Sequence, residues 1–283
     1  METAAASRVV TAPVKSTAGT LTRVIPSQGR GSVTAVTSLG DDVFVGRLYS
    51  RQVEVYDAAT LTLRRRLAVP TYPSGLAACP DNNCLYASDY GQRSVRRLEL
   101  SGSNAVRNWS VARGPTGLSV NPEHNLIVAC CDGNKLQEYT THGSLVRKIY
   151  LQADVSRPSH AIQLSTGDYA VSQLKSPGVV SVVGVDRQVL RRYIPSPTSE
   201  VGPMKHPSSL AVTKKDDILV ADEDNNRILS ITSSAGSIKE LALTVDGGIE
   251  KPRGLCLDES RGRLYVGEWS GFHRVLVFDS VYM

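Results

Sequence analysis

The stretch Pro207-Ser208-Ser209-Leu210-Ala211-Val212, with Lys215-Asp216-Asp217, Ile218-Leu219-Val220-Ala221-Asp222 and Asn225-Asn226-Arg227-Ile228 behind it, sets the reading of the whole chain. Its apolar runs are short, rich in Leu, Ile, Val and Ala, and bounded by Pro, Asp and Asn. That pattern marks strands joined by tight turns, not a helix. The opening (a proline, a small residue, then an apolar run) returns at Pro73-Ser74-Gly75-Leu76-Ala77, Pro115-Thr116-Gly117-Leu118-Ser119, Pro158-Ser159-His160-Ala161-Ile162 and Pro252-Arg253-Gly254-Leu255-Cys256. Successive copies lie 42 to 49 residues apart, and a degenerate copy, Ser32 to Val36, precedes them.

Each unit repeats the same later segments. A polar turn such as Pro80-Asp81-Asn82-Asn83 or Thr166-Gly167-Asp168 leads to an apolar run, then to an alternating run such as Gln52-Val53-Glu54-Val55-Tyr56, then to a run with a basic step such as Leu190-Arg191-Arg192-Tyr193. Four short strands per unit, six times over, predict an all-β, six-bladed β-propeller of four-stranded antiparallel blades. The last unit stops after its third strand, at Phe278. Thr20-Leu21-Thr22-Arg23-Val24-Ile25 has a fourth-strand pattern but no unit before it. We therefore expect an N-terminal strand that completes the last blade, with a flexible tail over residues 1–19 and one domain over 20–283.

The unit from Pro207 to Ile228 resembles the NHL repeat, as does the one from Pro252 to Val275 and, less fully, Pro73 through Arg93. The resemblance implies propellers such as those at the C-terminus of tripartite-motif proteins, where some bind single-stranded RNA and others bind proteins. It also brings in related six-bladed enzymes of the gluconolactonase and peptide-amidating lyase types. Five scattered cysteines cannot supply the zinc array of a RING or B-box. On this resemblance the chain is the recognition module alone.

Composition narrows the setting. Hydrophobic residues make up 41% and charged residues 21% of the 283, as in ordinary folded proteins, which excludes wholesale disorder. No run approaches the ~18 apolar residues of a membrane span, so no membrane partner is expected. The net charge of +5 permits an anionic partner without demanding one. The odd, sparse cysteines do not form a disulfide framework, so a reducing, cytoplasmic setting is expected.

An acid after the second strand and a base opening the third recur as Asp89/Arg93, Asp222/Arg227 and Glu268/Arg274. They read as pairs that fix a turn. Two units break the rule. Arg47-Leu48-Tyr49-Ser50-Arg51 and Gln173-Leu174-Lys175 offer cations without the acid, which predicts cations free to meet a ligand. The second-to-third turns share a face with the connections between blades, and together these sum slightly positive, whereas the first-to-second turns are acidic. The expected ligand-binding face carries Arg47, Tyr49, Arg51, Tyr72, Tyr90, Arg113, Lys175, Trp269 and Phe272. Rings and arginines suit a protein or peptide partner. Cations interleaved with rings also suit single-stranded RNA. In the hydrolase-type relatives, metal ligands sit on the innermost strands; here the matching positions are Thr34, Gly75, Gly117, His160, Ser209 and Gly254. His160, at the channel mouth, is the one possible ligand among them, and it reads as a hydrogen-bonded channel residue. No catalytic residue, metal or cofactor is expected. The sequence favours a monomeric, non-catalytic scaffold, with RNA binding or a metal-dependent lactonase as alternatives.

Overall fold

The computed structural model describes residues 19–27, 31–101, 106–175, 177–186 and 188–281. Residues 1–18 of the expected tail lie outside these. The described strands form six four-stranded antiparallel sheets. Blade 1 is Val33–Leu39, Asp42–Arg47, Gln52–Asp57 and Leu63–Ala68. Blade 2 is Gly75–Cys79, Cys84–Asp89, Ser94–Glu99 and Val106–Ser110. Blade 3 is Pro115–Val120, Leu126–Cys130, Lys135–Tyr139 and Leu145–Tyr150. Blade 4 is Pro158–Gln163, Tyr169–Gln173, Val179–Val183 and Val189–Tyr193. Blade 5 is Pro207–Val212, Ile218–Asp222, Arg227–Ile231 and Ile238–Glu240. Blade 6 is Pro252–Asp258, Arg263–Glu268 and Val275–Asp279, completed by Thr20–Ile25.

The ring closes as the repeat arithmetic requires. Leu21 pairs with Phe278, Val24 with Leu276 and Ile25 with Val275. Ile25 is fully buried with Val275 and Val277 in the core between blades 6 and 1. Joining the two ends of the chain in one sheet removes the open edge that an unclosed ring would expose.

One hydrophobic core fills each of the six seams between blades. The period of two along a strand sends alternate residues to opposite seams. Val43 and Val45 pack toward blade 6, and Phe44 between them packs toward blade 2. Inner strands must also come close to one another. At Gly117 of blade 3 a Cβ would collide with the His160 ring of blade 4, which explains a glycine inside that strand. Cys79 and Cys84 face each other across the first hairpin of blade 2, and all five thiols are free.

Antiparallel order puts the first-to-second turns on one face and the second-to-third turns and blade connections on the other. Four acids of the first face bridge neighbouring blades. Asp41 pairs with Arg261 at 2.6 Å, and Asp81 with His124 at 2.9 Å. Asp216 accepts the Ser165 N–H at 2.9 Å, and Glu259 accepts that of Lys214 at 2.9 Å. The basic outer strands behave similarly: Arg64 and Arg65 pair with Asp42, and Arg147 with Glu138. No helix among the described residues is long and apolar enough to cross a membrane.

Candidate binding face

One position, the last residue of each second strand, organises the face: Arg47, Asp89, Cys130, Gln173, Asp222 and Glu268 in blades 1 to 6. In blade 5, Asp222 is fully buried. It takes Arg227 Nε at 2.8 Å on one oxygen and the Lys205 N–H at 2.6 Å on the other. In blade 6, Glu268 does the same with Arg274 at 2.8 Å and the Glu250 N–H at 3.0 Å. Burial nonetheless pushes the Glu268 carboxyl above its ordinary range. These two pairs are the turn-fixing devices expected from the sequence.

Blade 1 keeps the device with its signs exchanged. Arg47 is 4% exposed, and its Nε donates to Glu54 at 2.7 Å. Its Nη1 donates to the His273 carbonyl at 2.7 Å. The expectation that Arg47 is free to meet a ligand is therefore corrected. Its acid lies on the neighbouring strand, seven residues later, instead of in the turn, and the guanidinium ties blade 1 to blade 6. Blade 2 brings a second correction. Asp89 takes the Thr71 hydroxyl and the Gln92 N–H at 2.8 Å, and makes no ion pair with Arg93. Arg93 adopts a left-handed backbone (φ 51°) and stays exposed. In blade 4 the neutral Gln173 fills the position, accepting from Ser156 N–H at 3.1 Å and donating to Ser181 Oγ at 3.0 Å.

The remaining expected residues fall into groups. Tyr49 is 79% exposed, packs edge-on against Tyr72 with centroids 6.2 Å apart, and Arg51 lies 5.4 Å over the Tyr72 ring. These three form one cluster where blade 1 meets blade 2. Tyr90 donates its hydroxyl to both oxygens of Asp132, each at 3.1 Å. Arg113 is exposed, and Lys175 Nζ donates to the Asp154 carbonyl at 3.0 Å. Trp269 is partly covered, because Arg253 stacks 3.8 Å above it while pairing with Glu223 at 3.5 Å. Phe272, 63% exposed, carries Arg274 at 4.8 Å from its centroid.

The inner strands enclose a channel of about 580 Å³ that opens on this face beside Tyr90, Arg157, Leu174 and Arg253. His160 lines it and is doubly hydrogen-bonded. Nδ1 accepts the Leu210 N–H at 3.0 Å, so Nε2 carries the proton and donates to the Leu118 carbonyl at 2.9 Å. One ring thus ties blade 4 to blades 3 and 5. Burial lowers its pKa, which keeps it neutral. Among the described residues, no group of three or more His, Cys, Asp and Glu could hold a metal ion.

Residues 204–229 match the family model described as NHL repeat. The chain carries an NHL repeat within a six-bladed β-propeller. No curated protein matches the chain. Among solved structures, this NHL-repeat propeller is similar to virginiamycin B lyase from Staphylococcus aureus, at 14% identity and a TM-score of 0.66, covering 91% of this chain and 98% of that one. It is similar to Kuenenia stuttgartiensis hydrazine synthase at 20% identity and 0.65, covering 90% and 80%. The β-propeller domain of Myceliophteria thermophila Cps50 (Swd1) matches at 14% and 0.62, covering 92% and 98%. These likenesses show a shared fold.

Sequence reasoning missed one feature of the NHL-repeat propeller. Arg157, His206 and Lys251 each precede a blade-opening proline and adopt positive φ, at 52°, 54° and 42°. In two of them an asparagine of the preceding blade holds the backbone: Asn134 Oδ1 accepts from Arg157 N–H at 3.0 Å, and Asn226 Oδ1 from Lys251 N–H at 2.9 Å. The signal was present as a basic residue before proline, recurring at one position in three consecutive units.

Proposed function

We propose that this propeller is a non-catalytic recognition platform that binds a protein or peptide partner through the face of its second-to-third turns and blade connections. The observation that carries the reading is the Tyr49–Arg51–Tyr72 cluster. Two tyrosines and an arginine stand exposed together, and such residues dominate the energy of protein interfaces. Tyr49 is held at a positive φ of 60°, a costly conformation for a non-glycine residue, of a kind that gathers at binding sites. On the opposite face, Asp41, Asp216 and Glu259 are engaged in blade-to-blade contacts. His160 supports binding over catalysis, since both ring nitrogens already serve the fold. The free thiols suit a reducing, cytosolic setting for a chain acting as a monomer.

Panning a random peptide display library over the folded protein tests this. The expected result is a set of peptides that no longer bind when Arg51 and Tyr72 are both changed to alanine. Single-stranded RNA is the second reading, favoured by the cations without acids on the same face. A mixed RNA titrated at two salt concentrations decides between them, because RNA affinity falls steeply with salt as counterions are released. Tight, salt-steep RNA binding together with an empty peptide selection would replace the first reading by the second.

A further inference from the structure

Cations on this face divide by position. From Arg227 through Lys251, Arg253 and Arg274 to Arg47, each has a carboxylate partner. Among the described residues, Arg51, Arg93, Arg113, Arg157, Lys175 and Lys205 have none; Arg51 lies over a ring and Lys175 on a backbone carbonyl. The acids near this second group are already engaged. Asp89 is buried with Thr71 and Gln92, Asp132 holds the Tyr90 hydroxyl, and Asp154 pairs with Arg192 on the rim. Most of this positive charge that the fold itself does not use lies over blades 2 to 4, with Arg51 of blade 1 and Lys205 before blade 5 at its two ends.

Arg157 is the best placed of these. Its backbone is fixed by Asn134, its guanidinium makes no hydrogen bond or ion pair among the described residues, and it lines the mouth of the central channel with Tyr90 and Leu174. We propose that the arc over blades 2 to 4 docks an acidic stretch of a partner polypeptide, with one carboxylate held by Arg157 at the channel mouth and others by Arg113 and Lys175. This rests on the reading of the face as a polypeptide-binding surface and adds the chemical class of the partner and where it lies. A nucleic acid would need rings between successive phosphate contacts. Here Tyr90 has its hydroxyl tied down by Asp132, and Tyr150, at the end of blade 3's outer strand, has Lys135 against its ring at 5.9 Å; the exposed ring pair lies at one end, by blade 1. Carboxylates need only the cations, and guanidinium groups match them in geometry.

The probe is a short synthetic peptide alternating glutamate and glycine, compared with its glutamine counterpart and with oligouridine. The glutamate peptide is expected to bind, and the glutamine peptide at least about tenfold more weakly. Changing Arg113, Arg157 or Lys175 singly to glutamine is expected to weaken binding by up to about fivefold each, the scale of an exposed ion pair. Arg66→Gln and Lys148→Gln, which remove the same charge from the outer rim, should leave affinity and melting temperature unchanged. Equal loss from rim and arc variants, no preference for glutamate over glutamine, or oligouridine binding more tightly through the same three residues would each overturn the proposal. Should the glutamate peptide fail while library-selected peptides still require Arg51 and Tyr72, the acidic-partner inference alone falls and the polypeptide-binding reading stands.

Discussion

Blades 5 and 6 and blades 2 to 4 solve one construction problem in two ways. Each ends its second strand with a group beside the turn and the incoming blade connection, and in blades 4, 5 and 6 that group accepts an N–H of the connection. Blades 5 and 6 use a buried carboxylate, which obliges the fold to supply an arginine and consumes that cation. Blade 4 uses Gln173, which bonds the same region without charge; blade 3 has Cys130, whose thiol donates to Gln137 Oε1; blade 2 uses Asp89 with hydroxyl and N–H partners. The difference teaches where to look for function. A neutral or internally satisfied turn asks for no cation, whereas the carboxylates of blades 5 and 6 each consume an arginine.

The sharpest way to break this comparison is to remove the carboxylates. Glu268→Ala leaves the largely buried Arg274 guanidinium unpaired, and Asp222→Ala leaves Arg227 only the exposed Glu240 at 3.6 Å; each should cost about 3–5 kcal/mol, read as a large fall in melting temperature. Arg47→Gln is expected to act in the same sense, because it strands Glu54 in the closing seam. Gln173→Ala should cost less, about 1–3 kcal/mol, since it strands neutral groups only. Equal losses at Gln173 and Asp222 would erase the distinction between the two halves of the face.

His160 gives an effect of intermediate size with a sign fixed by its burial. Its folded pKa is lowered, so below its ordinary value of 6.5 the unfolded chain takes up the proton first. The stability it contributes is full above that value and is lost as pH falls toward the folded pKa. In His160→Gln, thermal melts followed from neutral to mildly acidic pH should show a weaker pH dependence than wild type, from a lower starting stability. The smallest expected effect is on the other half of the face. Arg113→Gln, Arg157→Gln and Lys175→Gln should each change stability by no more than about 0.5 kcal/mol, because no buried partner is lost.

The fold was legible because its signals are local and repeated. Proline-opened strands at a near-constant interval counted the blades, and the orphan strand at residues 20–25 announced the closure. The turn pairs were legible where both partners sit in the turn, as in Asp222 and Arg227. They were misread where a partner lies elsewhere. Glu54 reaches Arg47 from the next strand, and Thr71 reaches Asp89 from the preceding blade connection; neither contact is visible in the spacing around the turn. The exposure of Tyr49 and Phe272 could be expected from their place in turns. The covering of Trp269 could not, since it depends on Arg253 folding across from the blade's opening strand.

The most direct test is the binding of library-selected peptides to the Arg51→Glu, Lys175→Glu double variant, measured by titration beside a thermal melt. An unchanged melt with binding abolished is the predicted result. Wild-type affinity in that folded variant would contradict the assignment of this face as the recognition surface.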